Sequence, residues 1–282
     1  MRLPSTVRWI PCKCICALFC LAVFLVGCAT EPVTGRSQLM LVGEDEANQM
    51  GTQAFQQMLA ESKVSQDPQL NGDVMEVGQR IAAVTDERMK KEGREPFQWD
   101  FKVIDEAKTV NAFCLPGGKV AFYTGILPIC KNKNGIAVVM GHEVAHAYAQ
   151  HGASRMSTQL AAQVGMAAGS VALGSVMDDP EMAQIATAAL GAGVTVGVLM
   201  PFSRKDESSA DEIGLTLMAE AGYDPREAVA FWQRMQEAAG GQEGPSWLST
   251  HPSHGDRIER LKELLPKAIQ VYESRGKATA AR

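Results

Sequence analysis

The feature that most restricts the fold of this chain is a pair of histidines four residues apart, His142 and His146, with Glu143 between them. Residues 136–140, one position before the pair, are all apolar, which predicts a helix buried in the middle of a domain. On a helix, residues four apart project from one face, so both imidazoles can bind one metal ion. Glu143 lies about 100° around the helix from His142, where its carboxylate can reach a water molecule on that ion.

Two histidines do not complete a catalytic zinc site, which typically has three protein ligands and an open position. A third histidine six residues after His146 would indicate the metzincin pattern, but that position is Gly152. The candidates for the third ligand are therefore His151, His251, His254 and the acidic residues downstream. His151 falls about 140° around the helix from His146, off the ligand face, which favours a supporting or structural role for its side chain.

The spacing of apolar residues divides the chain into predicted helices and strands. Apolar residues recur at helical spacing over Gly43 to Leu59 and Asp67 to Lys91, and they alternate over Phe97 to Ile104. Two more strands are predicted over Asn111 to Leu115 and Lys119 to Thr124, joined by a Pro-Gly-Gly turn. The pattern predicts a mostly helical α+β fold, with a small antiparallel sheet of about three strands beside the helix that carries the histidines.

The first 27 residues have the layout of a secretory signal. Basic residues precede an apolar run over residues 15–26, which is short for a membrane span of roughly 20 residues. The run ends in Gly27-Cys28, which resembles the lipobox of bacterial lipoproteins. We expect residues 1–27 to be removed and Cys28 to be lipidated, and an uncleaved anchor helix is the alternative.

Cysteine usage leaves two thiols in the mature chain apart from the lipidation site. Of the seven cysteines, four lie inside the leader and one is Cys28, so only Cys114 and Cys130 remain. In an oxidising periplasm these two could pair in a disulfide. Two buried free thiols are the equal alternative, because the sequence does not give their separation.

The chain after the leader divides into a tether over residues 28–42, one domain over residues 43–273 and a flexible tail over residues 274–282. Within the domain, Leu160 to Met177 and Met182 to Met200 are rich in small residues and predict a helical hairpin. Polar residues in both runs favour a hairpin in water over one in a membrane. A formal net charge of −5 and the lack of a Lys/Arg-rich block argue against a nucleic-acid partner.

Residues 203–211 contain the pattern Glu-x-x-Ala-Asp, which begins at Glu207 and ends at Asp211. This segment resembles the second motif of metallopeptidase family forty-eight, the family of the heat-shock protease HtpX and the CAAX prenyl protease. Residues 32–39 resemble the opening of its lipoprotein members, and residues 111–118 resemble the pattern before its zinc helix. The resemblance implies a zincin-like metallopeptidase domain with one Zn²⁺ per chain, Glu207 as the third ligand and Asp211 as support for a ligand histidine. An ordinary solvated charge cluster is the alternative for these acids.

Two further assignments follow from the same resemblance. Residues 249–258 resemble the family's Thr-His-Pro segment, which implies that His251 lies near the metal. It would steady an oxyanion or occupy the open position in a resting state, and a structural loop histidine is the alternative. In relatives, the hairpin that here holds Gly118, Lys119 and Val120 offers a strand edge to an extended substrate. An ordinary capped sheet edge is the alternative.

These features together predict a zinc metalloendopeptidase in which Glu143 takes a proton from a water molecule at the metal. The resemblance and the leader imply a protein lipid-anchored through Cys28 to a bacterial envelope membrane, facing the periplasm. Ala29 after that cysteine resembles an outer-membrane address. The implied substrates are unfolded, misfolded or misassembled envelope proteins. A chaperone-like assembly lipoprotein with a closed, rarely active zinc site is the alternative, and a purely structural metal is disfavoured by the intact Glu143.

Overall fold

The computed structural model describes residues 28–31, 33–172, 201–240, 245–252 and 255–280. The predicted leader over residues 1–27, the second half of the predicted helical hairpin and His254 lie outside these ranges. Among the helices of the described ranges, none combines the length and the hydropathy that crossing a bilayer requires.

The described elements follow one another from a small N-terminal hairpin to a long C-terminal helix. The hairpin and the first two helices are β1 (Cys28–Thr30), β2 (Ser37–Leu39), α1 (Glu44–Glu61) and α2 (Pro68–Lys91). The strands of the main sheet are β3 (Asp100–Ile104), β4 (Ala112–Leu115) and β5 (Lys119–Tyr123). The remaining helices are α3 (Leu127–Cys130), α4 (Lys133–Tyr148), α5 (His151–Ala172), α6 (Arg204–Glu220), α7 (Glu227–Ala239), α8 (Trp247–Thr250) and α9 (Arg257–Ala280). The predicted mostly helical α+β fold is confirmed.

The main sheet is mixed, so the prediction of a wholly antiparallel sheet is wrong for one of its two strand pairs. The strand order is β3-β5-β4, with β5 parallel to β3 and antiparallel to β4. Gly117 and Gly118 have φ angles of 82° and 77°, a backbone region that favours glycine, and they close the tight β4–β5 turn. No such turn joins β3 to β4. The loop over residues 105–111 instead passes the end of β5, where Glu106 N donates to Thr124 Oγ1 at 2.9 Å.

Helix α4 is the centre of the domain. Asn132 caps its first turn by accepting hydrogen bonds from Asn134 N and Gly135 N, and every residue over 135–148 is buried. A helix that is buried on all sides needs partners all round. The elements in contact with α4 include α2, α6, α7 and β4.

Helices α4 and α6 approach each other closely at two glycines. A Cβ atom built at Gly141 would lie 2.7 Å from Gly214 O, and one built at Gly214 would lie 2.8 Å from His142 N. Only glycine allows the two backbones to meet at this distance. The contact holds the N-terminal half of α6 beside the histidine-bearing turns of α4.

Both ends of the described chain contain regular structure. The segment predicted as a tether over residues 28–42 contains the β1–β2 hairpin, and two of its polar side chains, Glu31 and Gln38, are buried against the domain. The segment predicted as a flexible tail over residues 274–282 continues α9 through Ala280, in a stretch whose alanines favour helix.

Candidate metal centre

Four side chains with metal-binding atoms converge between α4, α6 and the end of α8. His142 Nε2 and His146 Nε2 are 3.1 Å apart. On α6, Glu207 Oε2 lies 3.5 Å from His142 Nε2, and Glu207 Oε1 lies 3.4 Å from His146 Nε2. His251, directly after α8, joins them, so that one donor atom from each residue lies within 4.8 Å of the others. All four side chains are buried. The structure thus brings together the three predicted ligands and His251.

The donor atoms fit a zinc ion. Glu207 Oε1 and His251 Nε2 are buried and have no hydrogen-bond partner in the described part of the chain. Buried polar atoms are rarely left unpaired, because each costs about 1–3 kcal/mol. Imidazole nitrogens and a carboxylate oxygen at this spacing are a donor set that zinc takes in proteins. The unpaired atoms are therefore explained by a cation between them.

A buried arginine connects the acids of α6 to the first histidine. His142 Nδ1 lies 3.1 Å from Asp211 Oδ1, which also accepts a 2.6 Å hydrogen bond from Arg257 Nη2. Arg257 Nη1 donates to Glu207 Oε2 at 2.8 Å, and its guanidinium lies 3.6 Å from the centre of the Trp232 ring. Burial alone would raise the pKa of Asp211, but Arg257 and His142 hold it below its usual range. Asp211 is thus an ionised acceptor that favours a proton on Nδ1 and leaves Nε2 of His142 for a metal.

Glu143 lies beside the cluster with one oxygen already hydrogen-bonded. Trp247 Nε1 donates to Glu143 Oε1 at 2.6 Å, and His251 Nε2 lies 3.6 Å from the same oxygen. Burial raises the pKa of Glu143 to about 7, while His142 and the Trp247 hydrogen bond act in the opposite direction. A carboxylate in this state can both accept and return a proton near neutral pH.

The hydrogen bonds of His251 define its neutral tautomer. Thr250 Oγ1 donates to Trp247 O at 3.1 Å, so the hydroxyl oxygen is free to accept from His251 Nδ1 at 3.0 Å. Trp247 O, 3.3 Å from the same nitrogen, can only accept. The proton of His251 therefore belongs on Nδ1, and Nε2 presents a lone pair to the cluster.

His151 lies in contact with His146 across a break between two helices. Helix α4 ends at Tyr148, Gln150 takes a left-handed φ of 59°, and α5 begins at His151. The turn returns the His151 ring to within 2.9 Å of His146, measured between their Nδ1 atoms. The prediction assumed one continuous helix through Gly152, and the break is what changes the position of the ring.

A cleft opens onto Glu143 and His146. Its walls come from β4, α1, α5 and the segment before α6, and most of the lining is apolar, including Met50, Met156 and Phe202. The Phe202 ring is stacked on the His146 imidazole, with 3.9 Å between the ring centres. The lining of the cleft therefore favours contacts with apolar groups of a ligand.

Gly118, Lys119 and Val120 do not form a strand edge, so this predicted substrate edge is wrong. Lys119 on β5 pairs with β3 on one side and with β4 on the other, and Gly118 O accepts a 3.0 Å hydrogen bond from Asp100 N. The sequence identifies the hairpin but not which of its strands the rest of the sheet covers. Within the described residues, the hairpin strand with an unpaired side is β4, which lines the cleft.

Cys114 and Cys130 are free thiols, so the structure favours the alternative without a disulfide. Cys114 lies on β4 at the cleft, whereas Cys130 is fully buried at the end of α3. Burial raises the pKa of both thiols, which makes them poor nucleophiles.

The sequence matches known proteins over the same part of the chain that builds the site. The profile of Peptidase family M48 matches residues 68–265. The chain is 36% identical to the mitochondrial metalloendopeptidase OMA1 of Schizosaccharomyces pombe over 84% of this chain and 66% of that protein. It is 30% identical to human metalloendopeptidase OMA1, mitochondrial, over 86% of this chain and 47% of that protein. It is 26% identical to the beta-barrel assembly-enhancing protease of Escherichia coli, over 86% of this chain and 50% of that protein. The chain thus spans between about half and two thirds of the length of these relatives.

Proposed function

Because the chain belongs to Peptidase family M48, we propose that it is a zinc-dependent endopeptidase with His142, His146 and Glu207 as its metal ligands. The observation that carries the proposal is the convergence of these three side chains from two helices, with Glu143 beside them and an open cleft in front. A structural zinc site uses four closed ligands and has no need of a nearby carboxylate. The arrangement here has both a carboxylate and space for a substrate.

Each residue of the site has a separate role in the proposed hydrolysis. When bound, zinc would supply Lewis acidity toward a peptide carbonyl and toward water. Glu143 takes a proton from the attacking water through the oxygen that Trp247 leaves free, and later gives it to the departing amine. Asp211 orients the His142 ring, and Arg257 hydrogen-bonds the Asp211 and Glu207 carboxylates.

His251 is proposed to occupy the open position in the resting enzyme. Its Nε2 carries the lone pair and lies among the other donor atoms, as a fourth ligand requires. The oxyanion role would need a proton on that nitrogen, and burial and the surrounding histidines lower the pKa of His251 well below its ordinary value. A substrate would then have to displace His251 before cleavage.

The unpaired side of β4 is the proposed substrate strand site. Cys114 on β4 and Glu143 line the same cleft, so this strand runs close to the proton acceptor. An extended peptide that adds to β4 would make main-chain hydrogen bonds that do not depend on its sequence. The apolar lining of the cleft favours chains that expose apolar side chains, which unfolded proteins do.

We further propose that the protein acts at a bacterial envelope membrane. The support is the signal-like leader, the lipobox-like Gly27-Cys28 and the similarity to an Escherichia coli protein named a beta-barrel assembly-enhancing protease. Lipidated Cys28 would hold the protein at the outer membrane, facing the periplasm, and misfolded or misassembled envelope proteins would be its substrates. A chaperone-like lipoprotein with a closed site is the second candidate, favoured by the burial of His251 among the ligands.

The test is the digestion of a denatured protein by the purified chain and by its Glu143→Gln variant, with the products identified by mass spectrometry. Loss of the proton acceptor should lower the cleavage rate by about 10²–10⁴-fold, while zinc content stays at one ion per chain. The matched control is Glu263→Gln, an identical exchange at an exposed position of α9, which should cleave at the wild-type rate. Equal cleavage by the Glu143→Gln variant would refute the proposal, and wild-type phenotype of that variant in cells would favour the chaperone-like candidate.

A further inference from the structure

Glu31, in the predicted tether, has the most deeply buried acidic side chain outside the metal centre among the described residues. Its side chain has no exposed surface. Its carboxylate accepts hydrogen bonds from Thr34, from Arg36 Nε at 3.2 Å and from Ser209 on the ligand helix α6. It also lies 3.2 Å from His151 Nε2. Burial of a carboxylate is unfavourable unless the group is hydrogen-bonded, and Glu31 has several donors. Its side chain is therefore a fixed part of the fold and not part of a flexible linker.

His151 stands between this carboxylate and a proposed zinc ligand. Its Nε2 faces Glu31 Oε1, and its Nδ1 lies 2.9 Å from Nδ1 of His146. Nε2 of His146, on the far side of the ring, is the atom that faces His142 and Glu207. The three side chains therefore form a continuous row from the N-terminal hairpin to the metal centre.

The protons in this row can be assigned from the chemistry of the groups at its two ends. Ionised Glu31 can only accept, so Nε2 of His151 carries a proton and donates it. Neutral His151 then has a lone pair on Nδ1, which accepts the Nδ1 proton of His146. With its proton held on Nδ1, His146 presents a lone pair on Nε2, as a metal ligand must. A proton on the other nitrogen of His151 would set two N–H groups against each other.

We propose that Glu31 and His151 are positioning residues for the metal ligand His146, so that the N-terminal hairpin is an integral part of the metal centre. The proposal rests on the proposed function, in which His146 binds zinc. Asp211 contacts His142 directly and gives the other ligand the same kind of support. The carboxylate that supports His146 is Glu31, which lies on a more distant element. The imidazole of His151 lies between these two side chains and contacts both.

The hairpin is fixed to the helices that carry this row. Gln38 Nε2 donates to Ala149 O at 2.9 Å, in the turn that places His151. Arg36 pairs with Asp206, which lies in the capping box of α6 next to Glu207. The chain after β2 is held as well, because Ser157 Oγ on α5 accepts from Leu41 N and Val42 N. The hairpin thus bridges the starts of α5 and α6.

The test measures zinc affinity of the complete chain by competition with a chromophoric chelator. His151→Leu removes the acceptor of the His146 proton and Glu31→Leu removes the acceptor of the His151 proton, so each should weaken zinc binding about 10–100-fold. The double variant should be no weaker than the more affected single variant, because both changes break one row. Glu31→Gln, which keeps an acceptor oxygen and is milder on folding, should lie between the wild type and Glu31→Leu.

The matched control is Thr85→Val, which removes a buried side-chain hydrogen bond to Ile81 O on α2, outside the hairpin and the row. It should lower the free energy of unfolding but leave zinc affinity at the wild-type value. If the Glu31 and His151 variants bind zinc as tightly as Thr85→Val, their role is only structural and the proposal is wrong. If the wild-type chain binds zinc but does not cleave protein, the proposed function is wrong. The comparison of zinc affinities among the variants still tests the present proposal.

A second measurement needs no variant. Two-bond ¹H–¹⁵N NMR spectra of the zinc-loaded wild type distinguish the two neutral tautomers of each imidazole. His151 should carry its proton on Nε2 and His146 on Nδ1. A proton on Nδ1 of His151 would overturn the proposal.

Discussion

At the scale of single residues, the orientation of Glu143 depends on Trp247, which comes from a segment more than one hundred positions away. The indole N–H fixes one carboxylate oxygen and leaves the other for proton transfer. Its ring is also stacked on Trp232, and the Trp232 ring lies against the Arg257 guanidinium. The Glu143 carboxylate and the Arg257 guanidinium are therefore both held by the stacked rings of Trp247 and Trp232.

Trp247→Phe should lower kcat/KM for a peptide substrate by about tenfold or more. The change keeps an aromatic ring but removes a hydrogen bond to a charged group, worth about 1.5–3 kcal/mol, and about 1.4 kcal/mol corresponds to a factor of ten. Trp99→Phe is the matched control, because Trp99 Nε1 donates to the Asp86 carboxylate at 2.8 Å, remote from the cleft. That variant should lose stability and keep its activity. Equal kcat/KM values for both variants would show that Trp247 does not orient Glu143.

Some site residues could be predicted from the sequence and others could not, for physical reasons. The spacing of His142, Glu143 and His146 predicts one shared helical face, since helix geometry is local. Glu207 needs a family resemblance, because no local rule fixes the distance between two helices. Glu31 and other contributors, such as Trp247 and Arg257, follow no pattern, and only tertiary packing brings them to the site.

At the scale of elements, the distance between α4 and α6 determines the metal centre, because each helix supplies part of the ligand set. That distance is set by the glycine contact between Gly141, which directly precedes His142, and Gly214, about two turns after Glu207. Glycines inside helices cost about 0.5–1 kcal/mol relative to alanine. Here the cost is offset by the close packing of two backbones.

Gly214→Ala should separate the two helices and weaken zinc binding together with stability. The added Cβ would lie 2.8 Å from backbone atoms of α4, which cannot rotate away. A loss of about 1–3 kcal/mol in the free energy of unfolding is expected, measured by urea denaturation of the zinc-free protein. Gly72→Ala on α2 is the control, since a Cβ atom added there would meet nothing within 4 Å, and it should stabilise the fold slightly. If Gly214→Ala behaves like Gly72→Ala, the contact does not constrain the helices.

The strands show where element prediction from sequence stops. Alternation predicted β3, and the Pro-Gly-Gly turn marked β4 and β5, each within a few residues of the observed bounds. Strand order depends on the connecting loops. The sequence of the loop over residues 105–111 does not show whether β4 pairs with β3 or whether the chain crosses over and leaves room for β5 between them. The predicted substrate edge was wrong for this reason: β5, not β4, is the covered strand of the hairpin.

At the scale of the whole molecule, the metal centre joins parts of the chain that are distant in sequence. The proposed ligands lie on α4 and α6, His251 follows α8, and the supporting Glu31 lies in the N-terminal hairpin. A cation that binds only the folded chain therefore stabilises all of these contacts together.

Removal of zinc should lower the melting temperature of the protein by about 10 °C. Zinc at a thousandfold excess over its dissociation constant contributes about 4 kcal/mol, and for a domain of this size each kcal/mol moves the midpoint by about 2–4 °C. Differential scanning calorimetry with a chelator, and again after zinc is returned, measures the shift. Glu207→Gln should show a much smaller response to zinc. Identical midpoints with and without chelator would mean that the folded chain holds no zinc.

If Cys28 is lipidated as proposed, the early start of β1 limits how far the domain can lie from a bilayer. Strand β1 begins at Cys28, and three residues later the Glu31 side chain is enclosed in the protein. Three residues span at most about 11 Å, so an acyl chain on Cys28 would leave the tether almost no slack. The domain would then stay close to the lipid headgroups, and polypeptide emerging near that surface would be within its reach.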